Sequence, residues 1–212
     1  MIIGIDEAGR GCIIGPMVIC AAAINQLDEY KLKEMGVKDS KKLSPRQREA
    51  LYGPVGKLCK YTTVKITAQE INTLMDKHNL NEIEAMKVAQ AIDQLSLRDA
   101  TVYVDSPDNV PAKFARRIEK YVKTRVKIVS ANKADDTYVI VGAASIIAKV
   151  TRDREIEKIK KETGIDFNSG YTSDPMTQKC VHNRKEYPAL EPYLRTKWST
   201  LRTEKQKKLS EF

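Results

Sequence analysis

The sequence predicts an α/β protein with a mixed central sheet flanked by helices. Apolar runs of strand length, among them "MIIGID" and "ATVYVD", recur along the chain. After an initial strand pair joined by a tight glycine-rich turn, strands alternate with helical patterns, the order expected when parallel and antiparallel neighbours share one sheet. At 212 residues, 42% apolar and 31% charged, the chain is long enough for one sizeable core and too apolar for disorder.

Residues 1–6 and 12–24 read as the strand pair, and both are too apolar for surface strands, which makes them central. "LDEYKLKEMG" reads as a short helix stopped by Gly36. Ser44 and Pro45 open the next, with serine as N-cap and proline in the first turn. "KYTTVKIT" alternates as a strand ahead of a helix near 68–77. Over 79–97, Leu80, Ile83, Met86, Val88, Ala89, Ile92 and Leu95 fall at helical spacing. A buried strand follows at 100–105, then a helix opened by Pro111 and a strand at 125–131. One long helix is expected from Asp135 to Gly164, its leading acids Asp135 and Asp136 suiting the positive end of the helix dipole. No internal repeat or low-complexity linker interrupts this order.

The formal net charge of +9 points to a polyanionic partner, nucleic acid before others, although surplus lysine also serves solubility. Cys12, Cys20, Cys59 and Cys180 are scattered, with no Cys-x-x-Cys pair and no secretory leader, so reduced thiols in a cytoplasm are expected. The longest apolar stretch, "VIVGAASIIA" at 139–148, is far short of the roughly 20 residues of a membrane helix. A cytoplasmic protein, monomeric and without membrane contact, is the expectation.

Four acids end or open these elements: Asp6 and Glu7 after the first strand, Asp105 after "TVYV", and Asp135 at a helix start. Ligands of an α/β sheet gather beyond its strand ends, so acids from separate segments can converge there. An oxygen-only cluster without His or Cys suits Mg²⁺ better than zinc. Each acid alone reads more simply as a helix cap or a lysine partner. Together, in a basic chain, they fit a site where metal joins protein carboxylates to a phosphate backbone. The repulsion between the neighbours Asp6 and Glu7 would then be offset by the cation. His78 and His182 read as ordinary helix or surface residues.

"GIDEAGRG", "DSKKL" at 39–43, "VYVD" at 102–105, "KAD" at 133–135, "AASIIAKVTRD" at 143–153, "NSGYTSDP" at 168–175 and "RTKW" at 195–198 occur in this order over nearly the whole chain. The set resembles ribonuclease HII in its archaeal form. The resemblance implies a ribonuclease H-like core over 1–165, a helical C-terminal subdomain contributing to substrate binding over 166–205, and a flexible tail over 206–212. It also implies an endoribonuclease that hydrolyses the RNA strand of RNA/DNA hybrids and cuts 5′ to ribonucleotides embedded in duplex DNA. By the same similarity Asp6, Glu7, Asp105 and Asp135 are the catalytic, metal-binding acids, holding two Mg²⁺ or Mn²⁺ ions. The products would carry 3′-hydroxyl and 5′-phosphate ends. Asn132 departs from the family pattern, which often has His before "KAD", and Asp136 adds a second acid beside Asp135. Another two-metal nuclease on the same fold, or a nucleic-acid-binding protein without catalysis, is the alternative that the acids alone leave open.

RNA differs from DNA at the 2′-hydroxyl, which a discriminating protein must touch. The glycines of Gly9, Arg10 and Gly11 allow a close backbone approach to a sugar, and in the family this turn reads the 2′-hydroxyl together with a tyrosine matching Tyr171. Ser40, Lys41 and Lys42 resemble the family's phosphate-contacting "DSK" segment. Lys149 and Arg152, one helical turn apart, suit either a phosphate backbone or the nearby acids Asp153 and Glu155. In the tail, Gln206, Leu209 and Phe212 have the spacing of the peptide that binds the replication sliding clamp, shortened by one aromatic.

Overall fold

The computed structural model describes residues 1–37, 43–198 and 201. Ser40, Lys41, Lys42, Gln206, Leu209 and Phe212 lie outside the described residues. Contact density divides the chain into two units, one of residues 1–8, 18–65 and 79–151, the other of 9–17, 66–78 and 152–212. The sequence reading draws its boundary at residue 165 instead. The second unit also takes the short segments 9–17 and 66–78 from the N-terminal half.

The first unit holds a five-stranded sheet in the order β3-β2-β1-β4-β5. Its strands are β1 (Ile2–Ala8), β2 (Met17–Ile24), β3 (Lys60–Ile66), β4 (Ala100–Asp105) and β5 (Val126–Ala131). β1 runs antiparallel to β2 and parallel to β4, and β4 runs parallel to β5. The sheet is thus mixed, as expected, with β1 and β2 interior. β2 is buried along its whole length, in keeping with a strand covered on both faces.

The helices start where their caps stand. α1 (Glu29–Glu34) ends before Gly36, whose φ of +79° takes the left-handed conformation. α2 (Pro45–Leu58) opens with a capping box: the Gln47 N–H donates to Ser44 Oγ at 3.3 Å, and the Ser44 N–H to Gln47 Oε1 at 2.8 Å. Thr67 caps α3 (Ala68–Leu74), and Asn79 caps α4 (Leu80–Leu95), which buries Ile83, Val88, Ala89, Ile92 and Leu95. α5 (Pro111–Glu119) follows β4.

Three elements differ from the sequence reading, the first being β1, which runs on to Ala8 beyond the expected end at Asp6. The second strand begins at Met17 rather than Cys12, after Gly15 turns the chain at φ +96°. A side chain there would meet Ile156 Cδ1 at 2.6 Å. The single helix expected from Asp135 to Gly164 is broken into α6 (Ala134–Thr137) and α7 (Val139–Thr163). Tyr138 between them is extended, and its ring stacks on Tyr103 of β4 with centroids 4.1 Å apart. That tertiary contact favours the break over continued helix.

α7 packs against the sheet at Gly4. A Cβ there would lie 2.3 Å from the Ile140 carbonyl carbon and oxygen, so glycine is what lets the helix backbone approach. The core on this side joins Ile2, Ala8, Cys20 and Ala22 to Val139, Ile140, Ala143, Ala144 and Ile147.

The second unit has its own core of Ile13, Ile14, Ile156, Ile159, Phe167, Val181, Leu190 and Leu194. It contains α8 (Pro175–His182), capped by Asp174, and a 3-10 helix at Pro188–Tyr193. Cys12 and Ile14 form single bridges to Tyr171 and Leu194. All four cysteines are free and buried. Among the described residues no helix is long and apolar enough to cross a membrane.

Candidate active site

β1 and β4 are parallel and pair Ile5 with Val104. Continuing that register by one residue sets Asp6 beside Asp105 at the carboxyl edge of the sheet, where α/β proteins bind ligands. β5, paired through Asp105 with Ala131, leads directly into α6 and Asp135. Sheet order alone therefore gathers acids from three distant stretches of chain.

Asp6 and Asp135 are buried, at 7% and 3% exposure. Burial pushes the Asp6 carboxyl up from 3.8 to about 6, opposed by the Lys149 charge and a Ser145 hydrogen bond and reinforced by the charges of Asp105 and Asp135. Ser145 and Lys149 lie one turn apart on α7, and Lys149 Nζ donates to Ser145 Oγ at 2.5 Å. Asp105 Oδ1 accepts the Ala134 N–H at 2.7 Å, which ties the end of β4 to the start of α6.

Glu7 is the next residue of β1. Acids remote in sequence, Asp105 and Asp135, act on Asp6 by charge repulsion. Among the described residues no group of three or more His, Cys, Asp or Glu side chains is already drawn together as a metal-holding cluster. The donors nonetheless fit a hard divalent cation. They are oxygens only, they repel one another, and Mg²⁺ typically takes one or two carboxylates while keeping water and substrate phosphate as its other ligands.

The loop after Asp105 is fastened by groups that sequence reasoning overlooks. Asp108 accepts from Asn81 Nδ2 at 2.6 Å and from Arg117 Nε at 3.2 Å, while Arg117 also pairs with Glu82 at 2.5 Å. Asn132 donates to the carbonyls of Asp108 at 2.9 Å and Ser106 at 3.3 Å. At the position where the family pattern often has His, it links the segment before Asp135 to the loop after Asp105.

Gly9, Arg10, Gly11 and Tyr171 belong to the second unit. Gly9 is left-handed at φ +79°, and a Cβ would lie 2.6 Å from the Pro16 carbonyl oxygen. Nothing lies within 4 Å of a Cβ built on Gly11, so that side of the turn is open. Tyr171, 36% exposed, lies against the guanidinium of Arg152 with its ring centroid 4.9 Å away, and hydrogen-bonds Cys12 and the Gly9 backbone. Arg152 is buried; it donates to Cys12 Sγ at 2.9 Å and to the Ser169 carbonyl, and pairs with Asp153 at 3.5 Å. Its acid partner fits one branch of the sequence reading, but its main contacts are inward. Arg195, fully buried, reaches the same turn; "RTKW" marks it in the sequence without disclosing what it touches. His182 is exposed and its Nδ1 lies 2.7 Å from the Gln178 carbonyl.

The family model described as Ribonuclease HII matches residues 3–201. A Ribonuclease HII of Nanoarchaeum equitans is 48% identical over 211 residues, 99% of this chain and 98% of that protein. Among solved structures, ribonuclease H2 from Pyrococcus horikoshii aligns with a TM-score of 0.87 at 42% identity, covering 97% of each chain. The structure of the PCNA:RNase HII complex from Archaeoglobus fulgidus aligns at 0.85 and 41% identity, covering 94% of this chain and 95% of that one. With the family pattern matched along almost its whole length, the chain belongs to the ribonuclease HII family in its archaeal form, a family of metal-dependent endoribonucleases.

Proposed function

We propose that this chain cuts the phosphodiester bond 5′ to a ribonucleotide, both in RNA/DNA hybrids and at single ribonucleotides within duplex DNA. Ribonuclease H activity on hybrids comes with the family. The observation that supports metal-dependent hydrolysis is the gathering of Asp6, Asp105 and Asp135 at the carboxyl edge of parallel strands, close enough for their charges to act on one another.

Asp6, Glu7, Asp105 and Asp135 would hold two divalent ions, Mg²⁺ or Mn²⁺. When bound, these supply Lewis-acid stabilisation of the developing oxygen charges and lower the pKa of the attacking water. Ser145 and Lys149 orient the Asp6 carboxylate and favour its charged form, ready for a cation. The fastened loop after Asp105 limits its drift. Gly9, Arg10 and Gly11 admit a sugar, and Tyr171 offers a ring to it. The C-terminal part contributes to substrate binding through Tyr171. Cleavage of a duplex carrying one ribonucleotide, with and without Mg²⁺, tests this reading.

Tyr171→Ala is expected to lower kcat/KM at an isolated ribonucleotide by about tenfold, the loss of one stacked ring. Tyr171→Phe should cost only the hydroxyl contact, a factor of about five. Steady-state kinetics on one duplex compares the pair; equal, negligible losses would remove Tyr171 from the site.

The Archaeoglobus relative is described in complex with PCNA. We extend that to this chain through Gln206, Leu209 and Phe212, whose spacing suits a one-turn peptide with its apolar anchors on one face. Removing residues 206–212 should abolish binding to the clamp in calorimetry and leave hydrolysis of a short hybrid unchanged. Undiminished clamp binding by the shortened protein would refute the assignment.

A further inference from the structure

Arg195 is fully buried, and its guanidinium spends every nitrogen on backbone carbonyls. Nη2 donates to Gly9 at 2.7 Å, Nη1 to Arg10 at 2.9 Å and Nε to Gly15 at 3.1 Å. These acceptors lie about the Gly9-Arg10-Gly11 turn, some 180 residues away in sequence. Arg195 is itself held from behind, its N–H bonded to the Ile13 carbonyl at 2.9 Å and its guanidinium over the Trp198 ring at 5.0 Å from the centroid.

A trans peptide sets its C=O and the following N–H on opposite sides. When the Gly9 carbonyl points at Arg195, the Arg10 N–H points away from it. The Arg10 carbonyl, captured in the same way, turns the Gly11 N–H away as well. Gly9, left-handed at φ +79°, supplies the conformation in which successive N–H groups line one side of a turn, an arrangement that binds electron-rich oxygen. The open space beside Gly11 leaves room for such an oxygen.

We propose that Arg195 is the positioning residue of sugar recognition: by holding two successive carbonyls from behind, it aims the Arg10 and Gly11 N–H groups at a ribose 2′-oxygen. The proposal rests on the reading of this turn given above and names what sets its geometry. Two further facts favour orientation over simple stapling. Burial lowers the Arg195 pKa to about 10, with Arg152 nearby pushing the same way, so the fold keeps two like charges behind one turn. A neutral side chain of similar size would be the easier occupant were packing the only demand. Three diverging carbonyls also match the fork of a guanidinium and not the single point of an ammonium.

The test compares binding of the chelator-treated protein to a duplex carrying one ribonucleotide and to the same duplex in all-deoxy form. The intact protein should prefer the ribonucleotide. Arg195→Met and Arg195→Lys should lose about tenfold of that preference, with all-deoxy affinity changed by less than about twofold. A purely structural arginine would weaken both affinities together and keep their ratio, which would overturn the proposal. If both variants fail to fold, nitrogen-15 spectra of the intact protein decide: the Arg10 and Gly11 amides should shift more with the ribonucleotide duplex than with the all-deoxy one. Identical shifts would overturn the proposal without any variant. An intact protein with no preference at all removes the reading of the turn and the proposal with it; preference retained in the variants removes the proposal alone.

Discussion

Asp6→Asn is expected to reduce hybrid cleavage by about three orders of magnitude while raising the stability of the metal-free protein at neutral pH. The activity loss follows from removing one buried, metal-directed charge, where the stabilisation at stake is several kcal/mol. The stability gain follows from the raised carboxyl. Folded Asp6 titrates near 6 against an ordinary 3.8, chiefly through burial. Between these values the folded state holds a proton that the unfolded state has released, so stability from this group is full below about 3.8 and is lost as pH rises through 6. Asparagine never ionises, and at pH 7 it should recover up to about 3 kcal/mol of that loss. Thermal melts of both proteins in chelator, at pH 4 and pH 7, check the sign: the difference should grow with pH. Saturating Mg²⁺ should stabilise the parent more than the variant. Asp105→Asn should match the activity loss. Near-normal turnover by either variant would remove the acid from the site.

Gly4→Ala should destabilise the first unit by about 3 kcal/mol or more, an unusually large effect for one methyl group. The added carbon would lie 2.3 Å from the Ile140 carbonyl and 2.5 Å from the Val141 nitrogen, and both obstacles are helix backbone, which cannot rotate aside. Relief requires α7 to retreat from β1, and α7 carries Ser145 and Lys149 against Asp6. Cleavage should therefore fall even at temperatures where the variant remains folded. Denaturant midpoints with activity measured on the same samples test both halves. An unchanged midpoint would mean that the helix does not depend on the glycine for its approach.

The strands that carry the candidate acids are legible in the sequence, because their apolar runs announce themselves. "ATVYVD" reads as a strand from its β-branched and aromatic residues, and β4 occupies those positions. A sheet of mixed direction follows from the element order, which brings Asp6 and Asp105 to one edge. The break at Tyr138 was at most hinted at by the weak helix formers Thr137, Tyr138 and Val139, and the stack on Tyr103 that goes with it is a tertiary contact. The full length of the first strand was not legible, since it reads as ending at Asp6 but runs on to Ala8. Arg195 was hidden for a different reason. Its partners are carbonyls, which every residue carries, so no pattern of side chains points to them. Asn132 is similar; its departure from the family pattern can be read, but its two carbonyl partners cannot.

The central claim is that these acids serve metal-dependent hydrolysis beside a ribonucleotide. Its most direct measurement is the end chemistry of a duplex DNA carrying one ribonucleotide, incubated with the protein in Mg²⁺ or in chelator. The account predicts a single cut on the 5′ side of the ribonucleotide, leaving 3′-hydroxyl and 5′-phosphate ends, and only in the presence of the metal. A cut that persists in chelator, or one on the 3′ side leaving a cyclic phosphate, would contradict it.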